Sequence, residues 1–312
     1  MSLHRLTRVT IGVPDVAATA EYYADFGLRP AGEPGAGQAG FTTADGGEQM
    51  RLVPSQRRRL VELRVGADDL DDLARIEAGL ARLEIPAQRH TGTLTARDPG
   101  TEVTVVVEIA DRLDQAETPP PPYNAPGHIR RVNARAPGIL RQDQVRPRRL
   151  GHVVLGSTDQ ERSQRFFTHG LGFKVSDTVP GLAAFMRCST DHHNVLVQQA
   201  PLAFLHHTSW QVNDVDEVGR GATAMLAKDP ARHVWGLGRH HVGSNFFWYL
   251  RDPAGNFSEY YSDLDCIVDD ALWTPRTWEG AQGLYNWGPP PPPSFLAPED
   301  LAALMTGTHA PR

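Results

Sequence analysis

The hydrophobic and polar positions of the chain follow the same order twice. Residues 8–28 begin with the apolar strand pattern RVTIGV, pass through Asp15 and continue as a helical pattern that ends in a glycine-containing turn. Residues 151–173 repeat this order. Both helical patterns contain an adjacent aromatic pair, and both end at glycines. Because glycine is common just after the last turn of a helix, both segments predict a strand, a helix and a turn.

A second set of segments matches in the same way. RLVELRVGADDLDDL (59–73) parallels FLHHTSWQVNDVDEV (204–218), and both predict a strand that leads into a helix with an acidic first turn. Residues 96–108 and 250–261 share an Asp-Pro step and a glycine, which indicate a turn between strands. Chance similarity is the alternative, but matches in one order favour a duplicated α+β fold, each half holding two units of strand, helix and further strands.

The length and the proline-rich stretches suggest where the domains end. A chain of 312 residues predicts two domains. We expect a first domain at 1–118, a proline-rich and basic linker at 119–147, a second domain at 148–265 and a C-terminal tail at 266–312. The tail's proline run is a candidate ligand for a proline-recognising module, although we favour a stiff spacer. Because the tail is also rich in aromatic residues, we expect it to pack on the second domain.

Charge and composition exclude several classes of protein. The net charge of −6, with 31 basic and 37 acidic residues, provides no general field for a nucleic acid. No apolar run approaches the roughly 20 residues of a membrane helix, and the first residues lack the apolar segment of a secretory signal. Two cysteines, Cys188 and Cys266, are too few for a disulfide framework, so we expect a cytoplasmic protein with no membrane or nucleic-acid partner.

Histidine is the residue type that changes this picture. There are 13 histidines, and six of them form the adjacent pairs His192/His193, His206/His207 and His240/His241. His152, His207 and Glu259 fall in three separate predicted strands of the second half. Strand alternation places His207 and Ser209 on one face and His206 on the other, so only one histidine of that pair can face a common site.

Two imidazoles and one carboxylate can form a facial triad, which leaves one side of an Fe(II) ion open. A single strand histidine is more often a hydrogen-bonded core residue, and Glu259 alone could be a surface charge. A second polar set without an obvious structural need, His193, His240 and Tyr249, favours the metal interpretation.

On the motifs LGHVVL, DHHNVLV, FLHHTSWQV, GRHH and YLRDPAGNFSEYY, the chain resembles the type I extradiol ring-cleavage dioxygenases of the vicinal oxygen chelate superfamily. The resemblance covers residues 5–265, weakly in the first half and strongly in the second. It implies two vicinal oxygen chelate domains, each built from paired βαβββ modules that form an open barrel. It also implies insertion of both atoms of O2 into a catechol-type aromatic substrate, giving a hydroxymuconic-semialdehyde-type product. Fe(II) would be the cofactor, with Mn(II) accepted by the same ligands, and the chain would form a homo-oligomer.

The same resemblance assigns roles to individual residues. It makes His152, His207 and Glu259 the metal ligands, His193 the active-site histidine beside the oxygen site, and His240 and Tyr249 the residues that bond the substrate oxygens. The other members of the pairs, His192, His206 and His241, are expected to face elsewhere.

The first half lacks this ligand set. Arg8 stands at the position of His152, Glu62 at that of His207, and Thr104 or Val105 at that of Glu259, depending on one gap. We therefore expect a first domain without metal, in which Arg8 and Glu62 form a buried ion pair.

Three other functions compete with ring cleavage. A glyoxalase-like lyase or isomerase would use Zn²⁺ or Ni²⁺ without oxygen, usually with ligands drawn from both modules of a pair. A metal-free small-molecule-binding protein of the same fold would need no complete ligand set. A proline-rich interaction scaffold would leave the histidines unexplained.

Overall fold

Two mixed β-sheets, one from each half of the chain, form the framework of the molecule. The structure is a computed structural model that describes residues 3–32, 37–300 and 304–305. One sheet has eight strands and the other has nine.

The first half folds as two consecutive βαβββ modules. Its elements are β1 (Leu3–Val13), α1 (Val16–Asp25), β2 (Arg29–Pro30), β3 (Ala39–Thr43), β4 (Gly47–Pro54), β5 (Arg59–Ala67), α2 (Leu70–Arg82), β6 (Ala87–His90), β7 (Thr93–Arg97) and β8 (Thr104–Ile109). The strand order is β2-β3-β4-β1-β5-β8-β7-β6. The first strands of the modules, β1 and β5, pair antiparallel at the centre, and each pairs parallel with the last strand of its own module.

The second half repeats this topology after a linker that contains the short helix α3 (Pro137–Leu140). Its elements are β9 (Arg149–Ser157), α4 (Gln160–Arg165) with a π-helical turn at Phe166–Gly170, β10 (Lys174–Val179), β11 (Ala183–Arg187), β12 (Val195–Gln199), β13 (Phe204–Gln211), α5 (Val215–Lys228), β14 (His233–Arg239), β15 (Phe246–Arg251) and β16 (Phe257–Ser262). Here β9 and β13 are the central antiparallel pair. The predicted α+β class and the duplicated modules are confirmed.

Local sequence explains where the long helices begin. Each of the four starts after an aspartate whose side chain accepts a hydrogen bond from a backbone N–H of the first turn: Asp15, Asp69, Asp159 and Asp214. Such caps stabilise a helix by about 1 kcal/mol each. The matched positions of these aspartates are the physical basis of the repeat seen in the sequence.

The two halves share one hydrophobic core. The Phe26 ring at the end of α1 stacks on Tyr260 of β16 with centroids 3.8 Å apart, and the Tyr260 hydroxyl donates to the Phe26 carbonyl at 2.6 Å. The Tyr22 and Ser258 hydroxyls are also hydrogen bonded, at 2.5 Å. Aromatic pairs of this kind add about 0.5–1.5 kcal/mol beyond the area that they bury. Helix α1 is therefore part of the support for β16.

The tail contains β17 (Arg276–Thr277) and α6 (Pro293–Leu296). It packs on the second half, as the sequence predicts: β17 extends the sheet beside β10, and Phe295 of α6 is buried. The tail also reaches the first half, because Asp300 accepts a hydrogen bond from Arg58 at 2.6 Å. In the described part of the chain, no helix is long and apolar enough to cross a membrane.

We expect Gly79→Ala to destabilise the protein even though alanine is the better helix former. A Cβ at Gly79 of α2 would lie 2.5 Å from the Gly170 carbonyl oxygen and 2.8 Å from that of His169, across the interface between the halves. Overpacking of about 1–3 kcal/mol outweighs the gain of about 1 kcal/mol in helix propensity. Denaturant unfolding measures the difference.

Gly219→Ala in α5 is the matched control, because a Cβ there meets nothing within 4 Å. Only the difference in helix propensity between glycine and alanine then affects stability, so this variant should be more stable than the parent by up to about 1 kcal/mol. Equal stabilisation by both substitutions would contradict the close contact at Gly79.

Candidate metal centre and active site

Strand register brings the three candidate ligands to one face of the second sheet. Ser209 on β13 pairs directly with His152 on β9 and with Glu259 on β16. His207 lies two residues before Ser209 on β13. Because side chains two residues apart on a strand share a face, His207 points to the same side as this row.

The three side chains are close enough to hold one ion. His152 Nε2 lies 3.1 Å and His207 Nε2 3.6 Å from Glu259 Oε2, and one ligand atom from each residue lies within 4.8 Å of the others. Ligands about 2.1 Å from a metal stand roughly 3 Å or slightly more from each other. No other group of three such donors occurs in the ranges that the structure describes.

Unpartnered atoms at the centre of this cluster fit a metal. His207 Nε2 and Glu259 Oε2 are buried, and neither makes a hydrogen bond with good geometry. A buried polar atom without a partner costs about 1–3 kcal/mol, so such atoms are normally satisfied by water or an ion. A divalent cation would satisfy both.

Protonation states also suit a cation. Burial lowers the pKa of His207 well below its ordinary value, which leaves this ring neutral with a lone pair. Burial alone would raise the pKa of Glu259, but its interactions with His152, followed by His240, outweigh burial and hold this pKa well below its usual range. The fully buried carboxylate is therefore ionised.

Asn245 orients this carboxylate. Its side-chain amide donates to Glu259 Oε1 at 3.1 Å, so that the other oxygen, Oε2, faces the histidines. Asn245 follows a turn in which Gly243 and Ser244 have φ values of 83° and 63°. This residue was not predicted from the sequence, because an asparagine in an irregular turn has no periodic signal.

His240 and Tyr249 adjoin the cluster as a hydrogen-bonded pair. Tyr249 stands opposite Glu259 across β15 and β16. His240 Nδ1 donates to the Leu284 carbonyl of the tail at 2.5 Å, so in the neutral ring Nε2 accepts from the Tyr249 hydroxyl, 2.8 Å away. Burial and the charge of Glu259 raise the pKa of Tyr249 well above its ordinary value, which keeps the hydroxyl protonated as a donor.

His193 lies on another side of the cluster, with its ring centroid 4.2 Å from that of His152. Its Nδ1 is 3.1 Å from His192 Nδ1, and His192 Nε2 is 3.2 Å from Asp177 Oδ2. Asp177 also accepts from Trp278 Nε1 of the tail at 2.9 Å. Burial, followed by the charge of His152, lowers the pKa of His193 well below its ordinary value.

The other members of the histidine pairs lie outside the ligand cluster, but two of them contact the histidine beside them. His206 Nδ1 lies 2.8 Å from His207 Nδ1. The cause is a β-bulge: Leu205 pairs with Leu155 and His207 with Val154, so His206 is an extra residue that interrupts the alternation.

His192 likewise turns toward its neighbour, since it lies in the irregular segment between β11 and β12, where alternation does not apply. His241 does turn away and packs against Trp278 with ring centroids 4.4 Å apart.

Ion pairs fill the corresponding place in the first half. Arg8 lies 3.6 Å from Glu62 and 3.5 Å from Glu48, and Arg64 bonds Glu62 and Glu108, each at 2.6 Å. The expected Arg8–Glu62 pair is present, but about a fifth of each side chain is exposed rather than buried.

Register also corrects one aligned position in the first half. Val106 pairs with Arg64 as Glu259 pairs with Ser209, so neither Thr104 nor Val105 is the counterpart of Glu259. Val106 lies one residue beyond the nearer of these two alternatives, Val105.

The tail covers the site. Phe295 of α6 lies 4.7 Å from both Tyr249 and Trp235, and 4.8 Å from His206, measured between ring centroids. Trp235 Nε1 donates to the Pro289 carbonyl at 2.7 Å. Aromatic side chains of the tail thus separate the polar cluster from solvent on this side.

Comparison with known proteins adds independent information. A model of the Glyoxalase/Bleomycin resistance protein/Dioxygenase superfamily matches residues 149–260. Metapyrocatechase 2 of Cupriavidus necator is 31% identical over 303 residues, which cover 95% of this chain and 92% of the relative. An iron-dependent extradiol dioxygenase of Rhodococcus jostii is 29% identical over 142 residues, 41% of this chain and 47% of that protein.

Among solved structures, the Mn(II)-bound glyoxalase from Novosphingobium aromaticivorans superposes with a TM-score of 0.74 at 26% identity, covering 93% of both chains. It supports the vicinal oxygen chelate fold expected from the sequence. Together with the similarity to metapyrocatechase 2 over nearly the whole length, these matches show that the chain belongs to the type I extradiol ring-cleavage dioxygenases of the vicinal oxygen chelate superfamily.

Proposed function

We propose that this protein is an extradiol ring-cleaving dioxygenase whose His152, His207 and Glu259 hold Fe(II), with Mn(II) as an accepted substitute. It inserts both atoms of O2 into a catechol-type aromatic substrate, and the product is of the hydroxymuconic-semialdehyde type. The observation that carries the proposal is the buried His-His-Glu cluster, with its unpartnered central atoms, beside His193, His240 and Tyr249.

Three protein ligands leave part of the coordination sphere for substrate. When bound, Fe(II) supplies open positions and Lewis acidity, which lowers the pKa of a catechol hydroxyl. The single negative charge of Glu259 leaves a +1 centre, to which a catechol monoanion is electrostatically complementary.

His240 and Tyr249 orient the substrate. The Tyr249 hydroxyl keeps its proton and would turn it from His240 Nε2 to an anionic catechol oxygen when substrate binds, while the Leu284 carbonyl holds the His240 ring in place through Nδ1. Prior positioning of both groups reduces the entropy that must be lost in the reaction.

His193 acts as the acid and base. The Asp177 carboxylate accepts from His192 Nε2, so His192 Nδ1 accepts the proton of His193 Nδ1. His193 Nε2 then carries a lone pair that can take a proton from the substrate and later return it. The neutral ring that burial enforces is the form required for this step.

A glyoxalase-like lyase or isomerase is the alternative function, because the solved structure described above is titled a glyoxalase. All three donors here come from the strands of a single domain, and three further polar side chains adjoin them. A reaction without a change of oxidation state does not require these three further side chains, His193, His240 and Tyr249. Dependence on oxygen separates the two functions.

Three further properties are proposed: the oligomeric state, the location and the domain limits. We propose a homo-oligomer, to which the exposed apolar side chains of the linker contribute; among them are Tyr123, Ile129, Val132, Ile139 and Leu140. Sedimentation of the purified chain tests this. We also propose a cytoplasmic location and the domain limits 118, 147 and 265; the unpaired thiols of Cys188 and Cys266 fit a reducing compartment.

The function is tested with the Fe(II)-loaded protein and a panel of monocyclic and bicyclic catechols. We expect catechol binding without oxygen, followed by a yellow ring-opened product once O2 is admitted. Product formation at the same rate under strict anaerobic conditions would support the lyase or isomerase instead.

Glu259→Gln should abolish tight metal binding while conserving side-chain size. Because the charge that attracts the cation is lost, we expect the affinity for Mn(II) to fall at least about 100-fold, and activity to fall with it. Metal content after dialysis is the readout. His241→Ala is the control and should retain both, since His241 packs on Trp278. Full metal content in Glu259→Gln would refute the ligand set.

His193→Ala should separate metal binding from catalysis. We expect unchanged metal content and unchanged anaerobic catechol binding, with kcat lower by about 10²- to 10⁴-fold because proton transfer is lost. Stopped-flow kinetics measures the slowed step. An unaltered turnover number would remove His193 from its assigned role.

A further inference from the structure

His206 is the buried histidine that the proposed chemistry leaves without a task. It is 4% exposed, and both of its ring nitrogens have partners. Nε2 lies 2.7 Å from the Phe295 carbonyl of α6, and Nδ1 lies 2.8 Å from Nδ1 of His207.

These two contacts determine the position of each proton in the pair. A carbonyl oxygen only accepts, so His206 Nε2 carries a proton and donates it. The neutral ring then has a lone pair at Nδ1, which accepts from His207 Nδ1–H. His207 in turn has no proton at Nε2, the atom that faces Glu259 Oε2 at 3.6 Å.

The two candidate histidine ligands differ in this respect. His152 Nδ1 is buried and has no hydrogen-bond partner among the described residues. The Phe295 carbonyl of the tail, through His206, therefore determines the position of the proton on His207 and not on His152.

We propose that the Phe295 carbonyl, through His206, selects the His207 tautomer whose Nε2 is free to bind the metal, so that docking of the tail is coupled to metal affinity. The inference rests on the proposed function, because it takes His207 as a ligand. His206 is then a positioning residue. Loss of a residue that hydrogen bonds to a metal ligand typically lowers metal affinity 10- to 100-fold.

Docking of the tail is what keeps the carbonyl in place. The Phe295 ring packs against Trp235 and Tyr249, and Trp235 holds the Pro289 carbonyl at 2.7 Å. If α6 moves away, His206 Nε2 loses its acceptor, and the tautomer with a proton on His207 Nε2 becomes available.

Two substitutions of His206 test the coupling in the full-length chain. Glutamine can accept through its oxygen and donate through its nitrogen, whereas leucine can do neither. We expect His206→Leu to bind Mn(II) about 10- to 100-fold more weakly than the parent in calorimetric titrations, and His206→Gln to recover most of that loss. His241→Leu should leave the affinity unchanged, because the His241 ring turns away from the cluster and packs on Trp278.

The tautomer itself is measured on the metal-free protein by long-range ¹H–¹⁵N spectra of ¹⁵N-histidine. We expect His207 protonated at Nδ1 in the parent and a shift toward Nε2 protonation in His206→Leu. Phe295→Ala, which leaves His206 intact, should shift it in the same direction and weaken Mn(II) binding. If His206→Leu does not fold, Phe295→Ala provides the test of the coupling.

The proposal is overturned if His207 carries its proton at Nε2 in the metal-free parent, or if the folded His206→Leu variant binds Mn(II) as the parent does. A parent that shows the expected tautomer but binds no Mn(II) would refute the proposed function and the coupling to metal affinity, and would leave only the hydrogen-bond arrangement.

Discussion

A fully buried carboxylate is the constraint on which the second half of the molecule depends. Glu259 has no solvent to stabilise its charge, and an isolated buried charge would be neutralised by a raised pKa. Here Asn245 bonds one oxygen, and two imidazoles approach the other. The strands β9, β13 and β16 must keep their register for these partners to meet, so the electrostatics of one side chain and the pairing of the sheet are not independent.

The first half shows what the same framework does without that constraint. Its central strands have the same pairing, but arginines and glutamates form a partly solvated network at the matching positions. Ion pairs that solvent reaches contribute little each, about 0–1 kcal/mol for fully exposed pairs. Each carboxylate is occupied by a neighbouring guanidinium, which leaves no concentrated charge for a cation. The duplication therefore conserves topology while the side chains decide where chemistry can occur.

The sequence was sufficient to predict the α+β class, the duplicated modules and the convergence of His152, His207 and Glu259. The fold class and the duplication follow from hydrophobic periodicity and matched turns, which are local signals, whereas the convergence of the three ligands was implied by the resemblance to the extradiol dioxygenases. The orientation of His206 was not predictable in this way, because one extra residue in β13 leaves no mark in composition. Asn245 and Asp177 were missed for a related reason: their partners are distant in sequence, and only folding brings them together.

The stacking of Phe26 on Tyr260 links the two halves at a sensitive point, since Tyr260 is the next residue after Glu259. Excising residues 149–260 as an autonomous fragment would strip an aromatic ring from the back of the strand that carries the carboxylate. The segment matched by the superfamily model is thus smaller than the hydrophobic core to which it belongs. Removing the first half would therefore expose apolar side chains of the shared core as well as the back of this strand.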